Sequence, residues 1–187
     1  METQAFKDVM EDAILSLPPD MKATLRIVED PDLDDEHRTL AAGALIHVLA
    51  ASNAIPGMRG ILAYVDDAIV LRLVLERLLV AAPDAMARHR ADEPEMFELL
   101  DEQMEVIRAY LGDLLSVLDH AVDQLPELTH EGHSARDCAR DPDATTWLYD
   151  AVHAALVDEL ELDEDDVARA LKSVEQIRRP LEMRRAT

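Results

Sequence analysis

Residues 97–125, FELLDEQMEVIRAYLGDLLSVLDHAVDQL, carry the strongest structural pattern in the chain. Their apolar side chains recur in alternating steps of three and four residues, and this spacing is a heptad repeat. The members of this seam are Phe97, Leu100, Met104, Ile107, Leu111, Leu114, Leu118, Ala121 and Leu125. The repeat predicts one long helix over about 95–125 that packs at a shallow angle on its neighbours, and Gly112 on its outer face allows a bend. Whether the seam is covered within the chain or across a homodimer stays open at this point.

The segments on both sides of this helix also favour helical structure, and none alternates as a strand would. Residues 40–82 are apolar and are interrupted at Ile55-Pro56-Gly57, which predicts an apolar helical hairpin within 31–82, capped near Asp30-Pro31. Residues 126–143 are predicted to form an exposed polar loop, and 144–187 a C-terminal helical hairpin. The sequence therefore predicts a single all-α domain over 1–187, a helical bundle of about seven helices.

The charge of the chain excludes one large class of partners. The sequence has 18 Lys+Arg against 40 Asp+Glu, a formal net charge of −22 and a pI near 4.4. A surface of this sign repels a polyphosphate backbone, so we expect no nucleic-acid partner. Aromatic residues make up only 3% of the chain, which disfavours base stacking, while 49% hydrophobic residues suffice for a core.

Several other classes are disfavoured by what the sequence lacks. No apolar run reaches the roughly 18–20 residues that a membrane-spanning helix needs, and the acidic N-terminus does not resemble a signal peptide. Cys138 is the single cysteine, so no intrachain disulfide can form. Neither a glycine-rich phosphate loop nor a nucleophile elbow is present, so an enzyme is not favoured and no catalytic residue is assigned. We expect a cytoplasmic protein that needs no cofactor.

Two short runs inside the apolar hairpin resemble a known bacterial family. They are HVLAASNAIPG at 47–57 and AYVDD at 63–67, within residues 40–80. They resemble the DUF1232, or YkvA-like, helical domain, whose core has a motif close to Y-L-x-S-P-x-D-x-I-P-D and then G-Y-x-D-D. The matching positions are Ile55, Pro56, Tyr64, Asp66 and Asp67, whereas His47, Asn53, Gly57 and Ala63 depart from the motif. The resemblance covers about a fifth of the chain and implies a helical hairpin without implying an activity.

Three polar residues stand out within this hairpin, and we interpret them as structural. A helical wheel places Asp66 on one arc with Arg72 and Arg77, which predicts a surface ion pair. Asp67 falls on an apolar face, where it is expected to accept hydrogen bonds from backbone N–H groups, with a proton-transfer or metal role as the alternative. His47 is predicted to be a core histidine, and the heights along the two helices do not favour a direct bond between His47 and Asp67.

Histidines in the C-terminal half offer possible metal ligands. His130 and His133 form an H-x-x-H step in the polar loop, and His153 follows on the next helix. Imidazole nitrogens at this spacing can bind Zn²⁺, but a structural site wants a second fixed pair, which the sequence does not supply. A divalent metal here is therefore the alternative, and a solvated loop is the simpler interpretation.

Residues 158–166, DELELDEDD, form the densest acidic run. Its seven carboxylates are Asp158, Glu159, Glu161, Asp163, Glu164, Asp165 and Asp166. Helix capping by Asp163 accounts for only part of them, so the run predicts a docking surface for a basic protein. The leading hypothesis is an acidic helical protein-binding protein, such as an immunity or inhibitor protein or a regulatory partner. The alternatives are a metal-binding helical protein or metal-dependent enzyme using the His130/His133 loop, and a peripheral membrane protein that associates through the apolar hairpin.

Overall fold

The computed structural model describes all residues from Met1 to Thr187 and is almost entirely helical. The helices are α1 (Glu2–Leu15), α2 (Leu17–Val28), α3 (Asp35–Leu49), α4 (Tyr64–Ala81), α5 (Pro83–Asp92), α6 (Pro94–Phe97), α7 (Leu100–Leu111), α8 (Leu115–Gln124), α9 (Ala135–Arg140), α10 (Pro142–Asp158), α11 (Glu164–Leu171) and α12 (Arg178–Arg185). Strands β1 (Thr129–His130) and β2 (His133–Ser134) form one small antiparallel hairpin. The all-α bundle is confirmed, with ten helices of eight residues or more instead of about seven.

One continuous core of 51 buried residues runs through the bundle. Helices α3 and α4 pack against each other near its centre, so the apolar hairpin is present, and their apolar side chains are used inside the core. None of the helices combines the length and hydropathy that are needed to cross a bilayer.

The prediction of one long helix over 95–125, with at most a bend at Gly112, is wrong in its continuity, although the seam itself is correct. The segment divides into α6, α7, a 3-10 turn at Gly112–Leu114, and α8. Gly112 has φ +52° and ψ −129°, a backbone conformation outside the helical region that suits glycine. Every seam residue except the half-buried Ala121 is buried within the chain, where α7 packs on α1 and α8 packs on α4. The seam is thus covered without a second copy.

The start of the apolar hairpin also differs from the prediction. Helix α3 begins at Asp35, and its N-cap is Asp34, whose side chain accepts a hydrogen bond from the His37 N–H at 2.9 Å. Further along α3, a Cβ added at Gly43 would lie 2.6 Å from the carbonyl oxygen of Leu125. The absence of a side chain at Gly43 therefore allows close contact between α3 and the end of the heptad segment.

Residues 126–143 are not a polar loop. They contain the end of a 3-10 turn (Leu125–Glu127), the β1–β2 hairpin and helix α9, which packs on α3 and buries Cys138. The residues after it do not form a C-terminal helical hairpin either. Helix α10 packs on α9, α3 and α2, whereas α11 packs on α1 on another part of the bundle. Periodicity predicts most of the longer helices but not α5 or α9, and it does not indicate against which neighbours each helix packs.

Candidate functional site

His47, Asp66 and Asp67 meet in the interior of the protein, between the last turn of α3 and the first turn of α4. The Nε2 atom of His47 lies 3.3 Å from Asp67 Oδ1 and 3.5 Å from Asp66 Oδ1. His47 and Asp67 form no well-formed hydrogen bond, but they lie closer than the estimate of their heights predicts, because that estimate assumed that the second helix starts directly after Gly57. Helix α4 instead begins at Tyr64, so Asp67 lies in its first turn, level with the end of α3.

Asp66 is an interior residue and not the surface ion-pair partner that the helical wheel predicted. It is only 1% exposed, and its Oδ2 accepts a hydrogen bond of 3.1 Å from the backbone N–H of Ile55. Asp66, and not Asp67, therefore holds the connector between the two helices. Arg72, expected on the same exposed arc, is also buried and contacts Asp20 and Gln103. The wheel failed because the bundle covers this part of α4 on all sides.

The facing atoms of the cluster lack conventional partners. His47 Nε2, Asp66 Oδ1 and Asp67 Oδ1 are all buried without a well-formed hydrogen bond, and the three ligand atoms lie within 4.8 Å of one another. Buried polar atoms are normally hydrogen-bonded, because leaving one unsatisfied costs about 1–3 kcal/mol. Three such atoms converging on one point indicate a small site that an ion or a proton would complete.

The electrostatic environment of the cluster disfavours having both carboxylates charged. Burial raises the pKa of Asp67 well above its usual value, and the neighbouring charge of Asp66 raises it further. No lysine or arginine forms an ion pair with either carboxylate, and His47 is their only basic neighbour in ion-pair range. The pKa of Tyr64 is also raised, by burial and then by the negative charges of Asp67 and Glu159. The cluster is thus a centre of negative potential inside an apolar core.

The cluster lies between two clefts, so it is buried without being sealed. His47 lines a cleft of about 540 Å³ next to α8 and α12. Asp67 lines a second, smaller cleft of about 270 Å³ together with Tyr64 and Glu159, and Asn53 borders both.

The histidines predicted to bind metal are placed differently. His133 stacks on Trp147 with ring centroids 4.1 Å apart, and His130 lies against the same ring at 6.1 Å. His153 packs on Tyr149 instead, with its Nδ1 atom 2.8 Å from the carbonyl oxygen of Tyr149. No third donor joins any of these residues, since the only group of three potential ligands in the structure is His47, Asp66 and Asp67.

The acidic run at 158–166 lies around the turn from α10 to α11, and all seven of its carboxylates are exposed. Asp163 is the N-cap of α11, as predicted, and accepts a hydrogen bond from the Asp166 N–H. Asp166 pairs with Arg169 at 2.8 Å, and none of the other six acids forms an ion pair.

Comparisons with protein-family models, with curated proteins and with solved structures found no match. The resemblance to the DUF1232 family therefore depends on the motif residues alone. The signal for the buried cluster was present in the sequence as two adjacent acids inside an apolar helix. Its partner is His47, the single strongly polar residue of the facing apolar stretch 40–51.

Proposed function

We propose that this chain is a divalent-metal-binding helical protein whose ligands are His47, Asp66 and Asp67. The observation that carries the proposal is the convergence of three buried donor atoms that have no other partners. A cation placed among them would satisfy all three and offset the charge of two carboxylates in an apolar core. This site differs from the His130/His133 loop that the sequence suggested.

The spacing of the donors suits a first-row metal with short bonds. In a tetrahedral zinc site with bonds of about 2.0–2.1 Å, neighbouring ligand atoms lie about 3.3–3.4 Å apart. The two distances from His47 Nε2, 3.3 and 3.5 Å, agree with this edge length. One imidazole with two carboxylates favours Zn²⁺, Mn²⁺ or Fe²⁺ over Ca²⁺ or Mg²⁺, which prefer oxygen ligands alone.

The surroundings of the ligands support the same proposal. The hydrogen bond from the Ile55 N–H fixes the Asp66 carboxylate, which is how outer contacts orient metal ligands in known sites. Three protein ligands leave a fourth position, and the two clefts that border the cluster offer room for water there.

Zinc titration of the metal-free full-length protein tests the proposal. We expect about one equivalent of Zn²⁺ to bind and to raise the melting temperature, because a ligand that binds only the folded state stabilises it. In an Asp67→Asn variant the binding should be lost, while the shape of the side chain is kept. A His130→Gln/His133→Gln double variant is the matched control and should bind as the wild type does. Zinc binding that survives in Asp67→Asn, or that disappears in the control, would overturn the assignment.

A second function is favoured by the unpaired acids at 158–166, namely docking of a basic protein. Six exposed carboxylates within nine residues have no cationic partner in the chain, so their field is available to a partner with the opposite charge. This is the surface expected of an immunity protein, an inhibitor or a regulatory subunit, and it does not depend on the metal site.

A pair of five-site variants tests this second function. The first replaces Asp158, Glu159, Glu161, Glu164 and Asp165 by amides, and the matched control does the same at Glu95, Glu98, Asp101, Glu102 and Glu105, which are also exposed and unpaired. Both variants have a net charge of −17 instead of −22. We expect affinity capture at low salt to retain a basic partner with the wild type and the control but not with the first variant. Equal capture by both variants would show non-specific charge attraction and contradict the hypothesis.

A further inference from the structure

The cleft of about 540 Å³ beside His47 has an unusual lining for so acidic a protein. It lies between the end of α3, helix α8 and the end of α12. Although the chain has 40 Asp+Glu, none of them lines this cleft, whereas His47, His120, Arg184 and Arg185 do. A volume of this size is within the range of small-molecule sites, which is about 300–1,000 Å³.

Helix α8 separates its charges between two faces, and this separation keeps acids out of the cleft. Its carboxylates Asp119 and Asp123 face Arg77 of α4, with oxygen-to-nitrogen distances of 3.4 and 2.7 Å. The cleft face carries Ser116, His120 and Gln124 at steps of four residues. The acids Asp119 and Asp123 of this helix are therefore paired away from the cleft, and α8 contributes no carboxylate to its lining.

Arg184 supplies a positive charge that nothing in the chain neutralises. Its Nη1 donates a hydrogen bond of 3.1 Å to the carbonyl oxygen of Ala54, which holds the side chain against the cleft wall without cancelling its charge. It forms no ion pair with any carboxylate, whereas its neighbour Arg185 pairs with Asp113 at 3.4 Å. A fixed guanidinium with free donors is the arrangement that binds anionic groups.

We propose that this cleft binds a small organic anion, such as a phosphate monoester, with its charged group at Arg184. The side-chain amide of Gln124, a neutral donor, also lines the cleft, and the apolar side chains of Val117, Leu125 and Leu128 provide contact for the body of the ligand. This binding goes beyond the metal site and does not require it. Arg184 lies on α12, and neither α12 nor α8 carries a residue of the cluster.

Titration of the full-length protein with phenyl phosphate in the presence of a chelator tests the proposal. Amide NMR shifts should change at residues 52–54 and 116–124, with saturation below about 10 mM phenyl phosphate. Benzoate, with a smaller charge, should bind more weakly at the same residues, and neutral benzyl alcohol should leave them unshifted.

Two variants and one matched control locate the anion. Arg184→Gln should weaken phenyl phosphate binding by about tenfold or more, because it removes a charge-assisted contact. Gln124→Glu should also weaken it, since it introduces a carboxylate into the cleft. Arg179→Gln removes another exposed, unpaired arginine from α12 and should leave the affinity within about twofold of the wild type. Absence of binding, shifts elsewhere on the surface, or equal losses in Arg184→Gln and Arg179→Gln would overturn the proposal.

Discussion

At the scale of single residues, the fold accommodates an unfavourable pair of neighbours. Asp66 and Asp67 are 1% and 5% exposed, and His47, at 4%, is the only basic group that contacts them. The sequence identifies all three residues as unusual, but it predicts Asp66 at the surface and places His47 and Asp67 at different heights along their helices. Both errors have one cause: the length of the connector and the burial of α4 on all sides are set by tertiary packing, which a helical wheel does not contain.

The same cluster gives a prediction about the metal-free protein. Because burial and the charge of Asp66 both raise the pKa of Asp67, the charged form of this side chain is disfavoured in the folded state. Asp67→Asn should therefore increase the free energy of unfolding in chelator by about 1–2 kcal/mol. With excess zinc the order should reverse, since only the wild type gains binding energy. Urea unfolding under both conditions measures this. A variant less stable than the wild type in chelator would contradict it.

The pKa of Asp30 is shifted in the opposite direction from that of Asp67, and this residue gives a second prediction at this scale. Its carboxylate lies 2.7 Å from His89 Nε2 and 3.2 Å from an Arg88 nitrogen. Burial alone would raise the pKa of Asp30, but hydrogen bonds from the Asp32 N–H and His89, with the charge of Arg88, lower it below its usual value. Asp30→Asn should lower the free energy of unfolding at pH 7 by about 1–3 kcal/mol.

The pH dependence of the Asp30 effect follows from the direction of its shift. A carboxyl whose pKa is lower in the folded state stabilises the protein above its unfolded pKa, and this contribution disappears as pH falls through the folded pKa. The difference between wild type and Asp30→Asn should therefore shrink below about pH 4. Asp32→Asn, at an exposed position that also pairs with Arg88, is the control and should cost less at pH 7. Chemical unfolding at pH 7 and near pH 3 would show the effect, and a difference independent of pH would contradict it.

At the scale of secondary-structure elements, Gly112 separates two interpretations of the heptad segment. In a continuous helix, replacing glycine by alanine would stabilise the protein by about 0.5–1 kcal/mol. In this structure Gly112 has φ +52°, a conformation that disfavours a side chain, even though a Cβ there would meet no atom within 4 Å. We therefore expect Gly112→Ala to lower the free energy of unfolding by about 1–2 kcal/mol. Urea unfolding gives the sign of the change in the free energy of unfolding. A stabilising effect of Gly112→Ala would favour the continuous helix.

The heptad segment also shows how much of the fold the sequence determines. Eight of the nine seam residues are buried as the spacing predicts, because hydrophobic periodicity reports which face of a helix turns inward. The break at Glu98–Leu99 was not predicted, and at Gly112–Leu114 the sequence predicts only a bend, since both breaks depend on how far each helix must turn to pack against its neighbours. Likewise Cys138 lies on helix α9 in a region whose polar composition predicted a loop. The buried side of α9 consists of two alanines and one cysteine, and three small residues are too few to form a recognisable hydrophobic periodicity.

At the scale of the whole molecule, charge is distributed unevenly over a surface that is negative almost everywhere. The chain has 18 Lys+Arg for 40 Asp+Glu, and many of its arginines pair with acids, as Arg72 does with Asp20, whereas Arg184 at the cleft beside α12 forms no ion pair. The acids at 158–166 and those on the outer face of α6 and α7 have few cationic partners. The carboxylates of the folded state therefore repel one another. This repulsion is stronger in the compact folded chain than in the expanded unfolded chain.

This self-repulsion makes the stability sensitive to salt. Raising NaCl from about 10 mM to about 500 mM shortens the Debye length from about 30 Å to below 8 Å, so most repulsion between surface acids is screened. Because 1 kcal/mol corresponds to about 2–4 °C in a protein of this size, we expect the melting temperature to rise by at least about 3 °C. The two five-site variants, whose net charge is −17, should show a smaller rise than the wild type at −22. Calorimetry in chelator separates this effect from metal binding. A melting temperature that falls with NaCl would mean that attraction within the ion pairs, and not repulsion among unpaired acids, dominates the electrostatics of the folded chain.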